Sequence, residues 1–278
     1  MAGTFYPAEG PKLKGAIEAS FLHRLGPRRL PRGDGVAGGL GACVCPHAGY
    51  AYSGPVAAHS YLDLSRLRRP DLVVIVGPNH YGIGSGVATY GEGDWETPLG
   101  TVRVDPVATK EILKSGAVDL DPQAHSREHS IEVQLPFLQA LYGDGLSFLP
   151  ISLGFQDKST ARDLGRAIAH ILTEAAEGKS TAILIASSDL THYEPASQAR
   201  EKDTSLLKHV EALEVDAFYT ELERKDITAC GYGAIATAME ACRHLGLKRG
   251  RLNAYATSGD VTGDEEAVVG YPSVTFVR

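Results

Sequence analysis

Residues 71–82 read DLVVIVGPNHYG. From Leu72 to Val76 every side chain is aliphatic and most are β-branched, with no polar residue to mark a wet face. A strand of that kind is covered on both sides, as in the parallel sheets of α/β proteins. The run ends at Gly77-Pro78, and the next polar groups are Asn79 and His80. Open α/β sheets present ligands beyond the carboxyl ends of their strands, so His80 stands where chemistry is expected.

Working outward, the same pattern recurs. Leu40–Pro46 is a short apolar run followed at once by His47, Ala48 and Gly49. Leu146–Ser152 is another, and Thr181–Ala186 (TAILIA) leads into SSDLTHY at 187–193. Helical patterns fall between these runs. Ser53-Gly54-Pro55 offers a cap and an early-turn proline for a helix to about Leu67. Asp105-Pro106 does the same for a helix to Lys114, and Ile131–Leu141 reads as helical with Pro136 inside it. Asp157–Ala176 carries Leu164, Ile168, Ile171 and Leu172 at helical spacing. Gln198–Leu213, Val215–Arg224 and Tyr232–Leu245 follow, the last ended by Gly246. The Gly-rich stretch 81–97, which holds the single tryptophan Trp95, reads as a loop or short hairpin. Thr101–Val104, Leu252–Thr257 and Ala267–Val277 read as strands. This alternation, with no linker and no repeat, predicts one α/β domain over 1–278, a mainly parallel central sheet flanked by helices.

Composition narrows the function classes. The formal charge is −7, and no Lys/Arg cluster is interleaved with aromatics. The basic knot Arg28-Arg29-Leu30-Pro31-Arg32 lies among Gly and Pro and reads as a solvated loop, so nucleic acid is not an expected partner. No apolar run reaches the roughly 18 residues of a membrane span, and residues 1–8 lack the apolar core of a secretion signal. Four cysteines in 278 residues do not make a disulfide framework. Cys43 and Cys45 share one face of a strand, and a reducing cytoplasm is the expected compartment.

Polar chemistry collects at strand ends. An isolated histidine is commonly a satisfied structural residue, but His47, His80 and His192 all follow apolar strands whose ends the sheet brings together. Cys230, in TACGYG at 228–233, precedes a helical stretch. A helix N-terminus favours a thiolate, the form that binds metal, and flanking glycines permit close backbone approach. Cys43, Cys45 and Cys242 are accounted for by packing. A rival constellation is His125-Ser126-Arg127-Glu128-His129, which matches the inverted zinc-protease pattern H-x-x-E-H. On a helix its two histidines would hold zinc, with Glu128 as base, and the protein would be a zinc hydrolase.

Taken together, AGTFYP (2–7), PHAGYAYSGPVAAHSY (46–61), GPNHYG (77–82), EHSIEVQLPFLQ (128–139), SSDLTHY (187–193) and CGYGAI (230–235) resemble the MEMO family, in order and over nearly the whole chain. The founding member of that family mediates receptor-driven cell motility. The resemblance implies the fold of class III extradiol dioxygenases, in which two histidines and a carboxylate bind Fe(II). It implies His47, His80 and Cys230 as metal ligands here, with Asp189, His192 and His129 lining the same pocket as catalytic candidates. It also makes the zinc-protease match coincidental. The implied cofactor is one metal ion, Fe(II) or copper, with zinc as a further option. The implied partners are a small-molecule or peptide ligand, by analogy with phosphotyrosine-peptide recognition in animal members, and a radical-SAM enzyme of the same pathway. This chain starts almost at the first motif and has Tyr232 where some members have Arg, so no anion-binding role is carried over to that position.

A thiolate in place of the carboxylate softens the ligand set towards copper and zinc. Asp189 is expected to orient one of the imidazoles, and His192 to act as a general acid or base.

Overall fold

The structure is a computed structural model and describes residues 1–32, 35, 40–177 and 180–277. In chain order it runs through α1 (Gly10–Leu22), β1 (Leu40–Cys45), α2 (Tyr50–Leu64), β2 (Leu72–Pro78), β3 (Val87–Thr89), β4 (Asp94–Thr97) and β5 (Gly100–Val104). Next come α3 (Pro106–Lys114), β6 (Asp119–Leu120), two short 3-10 turns (Pro122–His125 and Glu132–Gln134), α4 (Leu135–Tyr142), β7 (Ser147–Leu153), α5 (Lys158–Glu177) and β8 (Ala182–Ser187). The chain closes with β9 (His192–Glu194), α6 (Ala196–Ala212), α7 (Val215–Lys225), α8 (Tyr232–His244), β10 (Arg249–Thr257), α9 (Gly259–Thr262) and β11 (Val268–Val277).

The four apolar runs legible in the sequence form the centre of the sheet. β1, β8, β2 and β7 lie side by side and parallel, with Cys43 and Ile75 both opposite Ile185, and Ile75 also opposite Pro150. Antiparallel strands extend the sheet on both sides: β11 and then β10 beyond β1, and β3 beyond β7. β5 adds to β7 in parallel and forms a hairpin with β4. The Gly-rich stretch expected to be a loop or short hairpin thus supplies β3 and one arm of that hairpin.

Strand alternation divides the core in two. Ala42, Val44, Val74, Val76, Leu184 and Ala186 face one way and pack with Ile168 of α5, Leu206 of α6, Phe218 of α7 and Met239 of α8. Cys43, Cys45, Val73, Ile75, Ile183 and Ile185 face the other way, against Phe21 of α1, Tyr61 of α2 and Phe137 of α4. Both faces being buried explains the absence of polar residues in β2, and it fixes the register, since a one-residue slip would exchange the two packed sets. Cys43, Cys45 and Cys242 are wholly buried, as their packing assignment required.

Local chemistry explains the helix boundaries. Asp105 caps α3, accepting from Val107 N at 3.0 Å and Ala108 N at 2.9 Å. α2 departs from expectation by beginning at Tyr50 rather than after Ser53, with Pro55 inside it. Its first turn is held by tertiary contact, because Tyr50 N donates to Phe5 O at 2.8 Å, while Ser53 Oγ turns back to Ala48 O. The Ile131–Leu141 pattern divides into a 3-10 turn and α4, with Pro136 in the first turn of α4. Among the described residues, no helix is long and apolar enough to cross a membrane.

Candidate metal site

The carboxyl ends of β1, β8 and β2 are neighbours, and each delivers a polar group: His47 after β1, Ser187 and Asp189 at the end of β8, and His80 after β2. His47 is only 2% exposed. Its Nδ1 lies 2.9 Å from Ser187 Oγ. That hydroxyl donates to Ser130 O at 2.6 Å and accepts from Gln134 Nε2 at 2.8 Å. Gln134 cannot be turned over, since the same Nε2 also faces the acceptor-only carbonyl of Pro46 at 3.0 Å and Tyr61 Oη donates to its Oε1 at 2.6 Å. With the Ser187 proton committed to Ser130, the proton between His47 and Ser187 belongs to Nδ1. Nε2 is therefore the lone-pair nitrogen of His47, and it lies 3.2 Å from Cys230 Sγ.

His80 is oriented by Glu128, which is 3% exposed. Glu128 Oε2 accepts from His80 N at 2.7 Å. Oε1 accepts from His80 Nδ1 at 3.0 Å and from the backbone N–H groups of His129 and Ser130, each at 2.8 Å. Burial works against the charge, but His80 and these N–H donors outweigh it and hold the carboxyl well below the usual range. His80 thus presents Nε2 outward in the same way as His47. The His129 ring stacks on His80 at 4.7 Å between centroids, and His47 stands edge-on to both at 5.3 Å. Phe5, from the AGTFYP segment, stacks on His129 at 4.2 Å.

Cys230 reaches the cluster because Gly231 passes close to β8: a Cβ there would lie 2.4 Å from Ser187 O. Cys230 Sγ accepts from Asp189 N at 3.3 Å. The expected thiolate is not what this setting favours, since burial and the Asp189 carboxylate push the thiol up. Gly231 is the cap of α8, so the sulfur stands outside the helix, and a bound cation is what would displace its proton. Asp189 is buried and pushed up by that burial to about 6. It does not orient an imidazole; its Oδ1 accepts the backbone N–H of His47 at 2.9 Å, while Ser187 and Glu128 hold the rings. His192 Nδ1 faces the Thr228 carbonyl at 3.0 Å, which leaves its Nε2 as the acceptor. The preceding Thr191 is anchored by Asp203, which accepts from its hydroxyl at 2.6 Å.

Among the described residues, two groups of side chains have ligand atoms all within 4.8 Å of one another: His47, His80 and His129, and His47, Asp189 and Cys230. His47 belongs to both, and the expected trio His47, His80 and Cys230 is shared between them. His125 is in neither. It is buried against Trp95 at 5.6 Å and Tyr90 at 5.9 Å, at the end of a 3-10 turn that does not continue to His129. The H-x-x-E-H segment therefore lacks the single helix that a zinc-hydrolase site requires, and its Glu128 is engaged by His80.

A family model described as Memo-like protein matches residues 1–275. The chain belongs to the Memo-like family. A MEMO1 family protein of Aeropyrum pernix is 49% identical, over 98% of this chain and 96% of that protein. One from Methanopyrus kandleri is 46% identical, over 100% of this chain and 98% of its own length. The crystal structure of an uncharacterized protein from Escherichia coli K12 shares the fold, with a TM-score of 0.56 at 15% identity over 84% of this chain and 98% of that one.

Sequence reasoning missed the residues that orient the candidate ligands of this Memo-like site. Ser187 and Gln134 carried no motif of their own. Glu128 was visible only as the base of a zinc-hydrolase pattern. The signal available for Ser187 was its place, the first polar residue after TAILIA.

Proposed function

We propose that this Memo-like protein is a mononuclear metal-dependent redox enzyme, with His47, His80 and Cys230 as ligands and iron or copper as the metal, zinc being a further option. The observation that carries the reading is the tautomer pair: His47 and His80 each commit Nδ1 to a fixed acceptor, which leaves two Nε2 atoms for ligation, and a thiol stands beside the first. Outer hydrogen bonds of this kind hold a ring in place and raise its basicity. A bound iron or copper ion would supply one-electron chemistry and activation of O₂ or a reduced oxygen species on an unidentified substrate. The chain would do the rest. Cys230 would give up its proton on binding, and its sulfur would soften the site relative to a carboxylate. His192 would move a proton through Nε2, with Nδ1 anchored on Thr228. Asp189 would hold the His47 backbone in register with Cys230.

The test is elemental analysis of anaerobically purified protein. One iron or copper ion per chain is expected in the wild type, none in His47→Ala, and no copper in Cys230→Ser; full occupancy in both variants would refute the reading. Oxygen consumption by the metal-loaded protein, with a reductant or a catechol, tests the redox step.

A second reading, a peptide- or phosphotyrosine-binding protein without catalysis, is favoured by one observation. Tyr81, Phe155 and Tyr193, beyond the ends of β2, β7 and β8, are 52%, 66% and 79% exposed, and Arg127 lies over the Tyr81 ring at 5.4 Å. Peptide binding unchanged by metal removal, together with silence towards O₂, would support it. Family resemblance further suggests a cytoplasmic pathway shared with a radical-SAM enzyme, which a pull-down with that enzyme would test.

A further inference from the structure

We infer that the site has a second ligand set, made of His47, His80 and His129 alone, which takes a borderline divalent cation such as Co(II) or Zn(II) without the thiol of Cys230. The inference rests on the metal reading above, since both sets use His47 and His80.

Four observations carry it. The ring nitrogens of the three histidines already lie within 4.8 Å of one another, whereas His80 and Cys230 fall in different groups. One carboxylate builds the set: Glu128 binds His80 through Nδ1 and N, and binds the His129 N–H with the same Oε1. His129 is further fixed by stacking between Phe5 and His80. Its Nδ1 is buried without a hydrogen-bond partner, 3.4 Å from Glu128 Oε1. A small rotation would bring that N–H onto the carboxylate, as His80 Nδ1 already is.

The chemistry differs from that of the thiol set. Three neutral imidazoles suit zinc, cobalt and iron in the divalent state and leave coordination positions open, whereas a thiolate favours Cu(I) and also takes zinc, so Co(II) against Cu(I) is the pair that separates the two sets. Glu128 supplies negative charge behind the His80 ring, across a hydrogen bond to Nδ1. The two sets pivot on His47, whose Nε2 faces Cys230 on one side and whose ring meets His80 and His129 on the other. A site of this form would exchange a soft metal for a borderline one by moving the ion rather than the chain.

The experiment is Co(II) titration of anaerobic apo-protein, read by visible d–d absorption and by the near-ultraviolet thiolate-to-Co(II) band, with Cu(I) affinity measured in parallel by chelator competition. The wild type should bind one Co(II) with no thiolate band. Cys230→Ser should keep Co(II) affinity within about tenfold and lose Cu(I). His129→Ala and His129→Gln should each weaken Co(II) by more than about 100-fold, beyond the loss of an outer partner, while keeping Cu(I). Retained Cu(I) binding also shows that the His129 variants are folded. A thiolate band in the wild type with Co(II) lost in Cys230→Ser overturns the inference, as does Co(II) binding indifferent to both His129 variants. If Cu(I) still depends on Cys230 in those cases, only the second set fails. If the wild type binds neither ion, the metal reading fails and this inference with it.

Discussion

Glu128→Gln is the perturbation that most directly separates orientation from ligation. The Glu128 carboxylate accepts four hydrogen bonds, three on Oε1 and one on Oε2. Glutamine keeps one oxygen. If that oxygen takes the Oε1 position, the bonds to His80 Nδ1 and to the His129 and Ser130 N–H groups survive in weaker, uncharged form, and an NH₂ group faces the His80 N–H. A charge-assisted bond contributes roughly 1.5–3 kcal/mol, and a buried donor left without an acceptor costs about 1–3 kcal/mol. A destabilisation of about 2–4 kcal/mol follows, with metal affinity lowered roughly 10–100-fold because the acceptor that fixes His80 and His129 loses its charge. The pH dependence gives a separate check. The folded carboxyl is held below its ordinary value, so its contribution is fully present above the ordinary value of about 4.3 and is lost as pH falls below it. Urea melts at pH 7 and pH 3 should therefore separate wild type from Glu128→Gln more widely at pH 7 than at pH 3. Equal stability and equal metal affinity of the two proteins at pH 7 would refute the assignment of Glu128 as the orienting residue.

Other outcomes follow from the same geometry. Ser187→Ala removes the acceptor of the His47 Nδ1–H and the donor to Ser130 O, and should cost about 2–4 kcal/mol in urea melts. In the same variant, imidazole ¹⁵N shifts should show His47 losing its single tautomer. Burial pushes the His125 imidazole down to about 4, so its contribution to stability is full above about 6.5 and falls away as pH drops from there through 4. That interval corresponds to an acid loss on the order of 3 kcal/mol, and His125→Phe should remove it. His129, also pushed down by burial to about 4, should retain a similar slope in the His125→Phe protein. Ile75→Ala, at a wholly buried position in the middle of β2, should lower stability by about 2–5 kcal/mol, read as a shift in urea midpoint, and leave metal content unchanged.

The central strands were legible because burial on both faces leaves a run of aliphatic residues that no loop or surface helix tolerates. Leu72–Val76 and Thr181–Ala186 are such runs, and both fall in the parallel centre of the sheet. Sequence patterns were weaker where structure depends on distant contacts. The start of α2 is fixed by Phe5 O, some forty-five residues away in the chain, and no cap at 53–55 could reveal it. β9 is short, and among the described residues it pairs with β11 alone, so its identity as a strand comes from the partner rather than from its own residues.

The candidate site divides along the same physical line. His47, His80 and Asp189 could be read because they are the first chemically active residues beyond buried strands, where the topology of an α/β sheet converges. Glu128, Gln134 and Ser187 could not, because nothing intrinsic to a serine, a glutamine or a glutamate distinguishes a surface position from one that fixes an imidazole tautomer. Their role exists only through adjacency: Ser187 reaches His47 because β8 lies beside β1, and Glu128 reaches His80 because the 126–131 loop crosses the end of β2. The same adjacency sets the thiol apart. Cys230 was read as activated by the helix that follows it, yet what it meets is burial and the Asp189 carboxylate, both of which favour the protonated form. The sulfur can act as a ligand only if a cation takes the place of its proton. Occupancy of the thiol set should therefore fall with acidification, as the thiol competes for protons, while the imidazole set, in which burial disfavours protonation of His47 and His129, should hold its metal to lower pH.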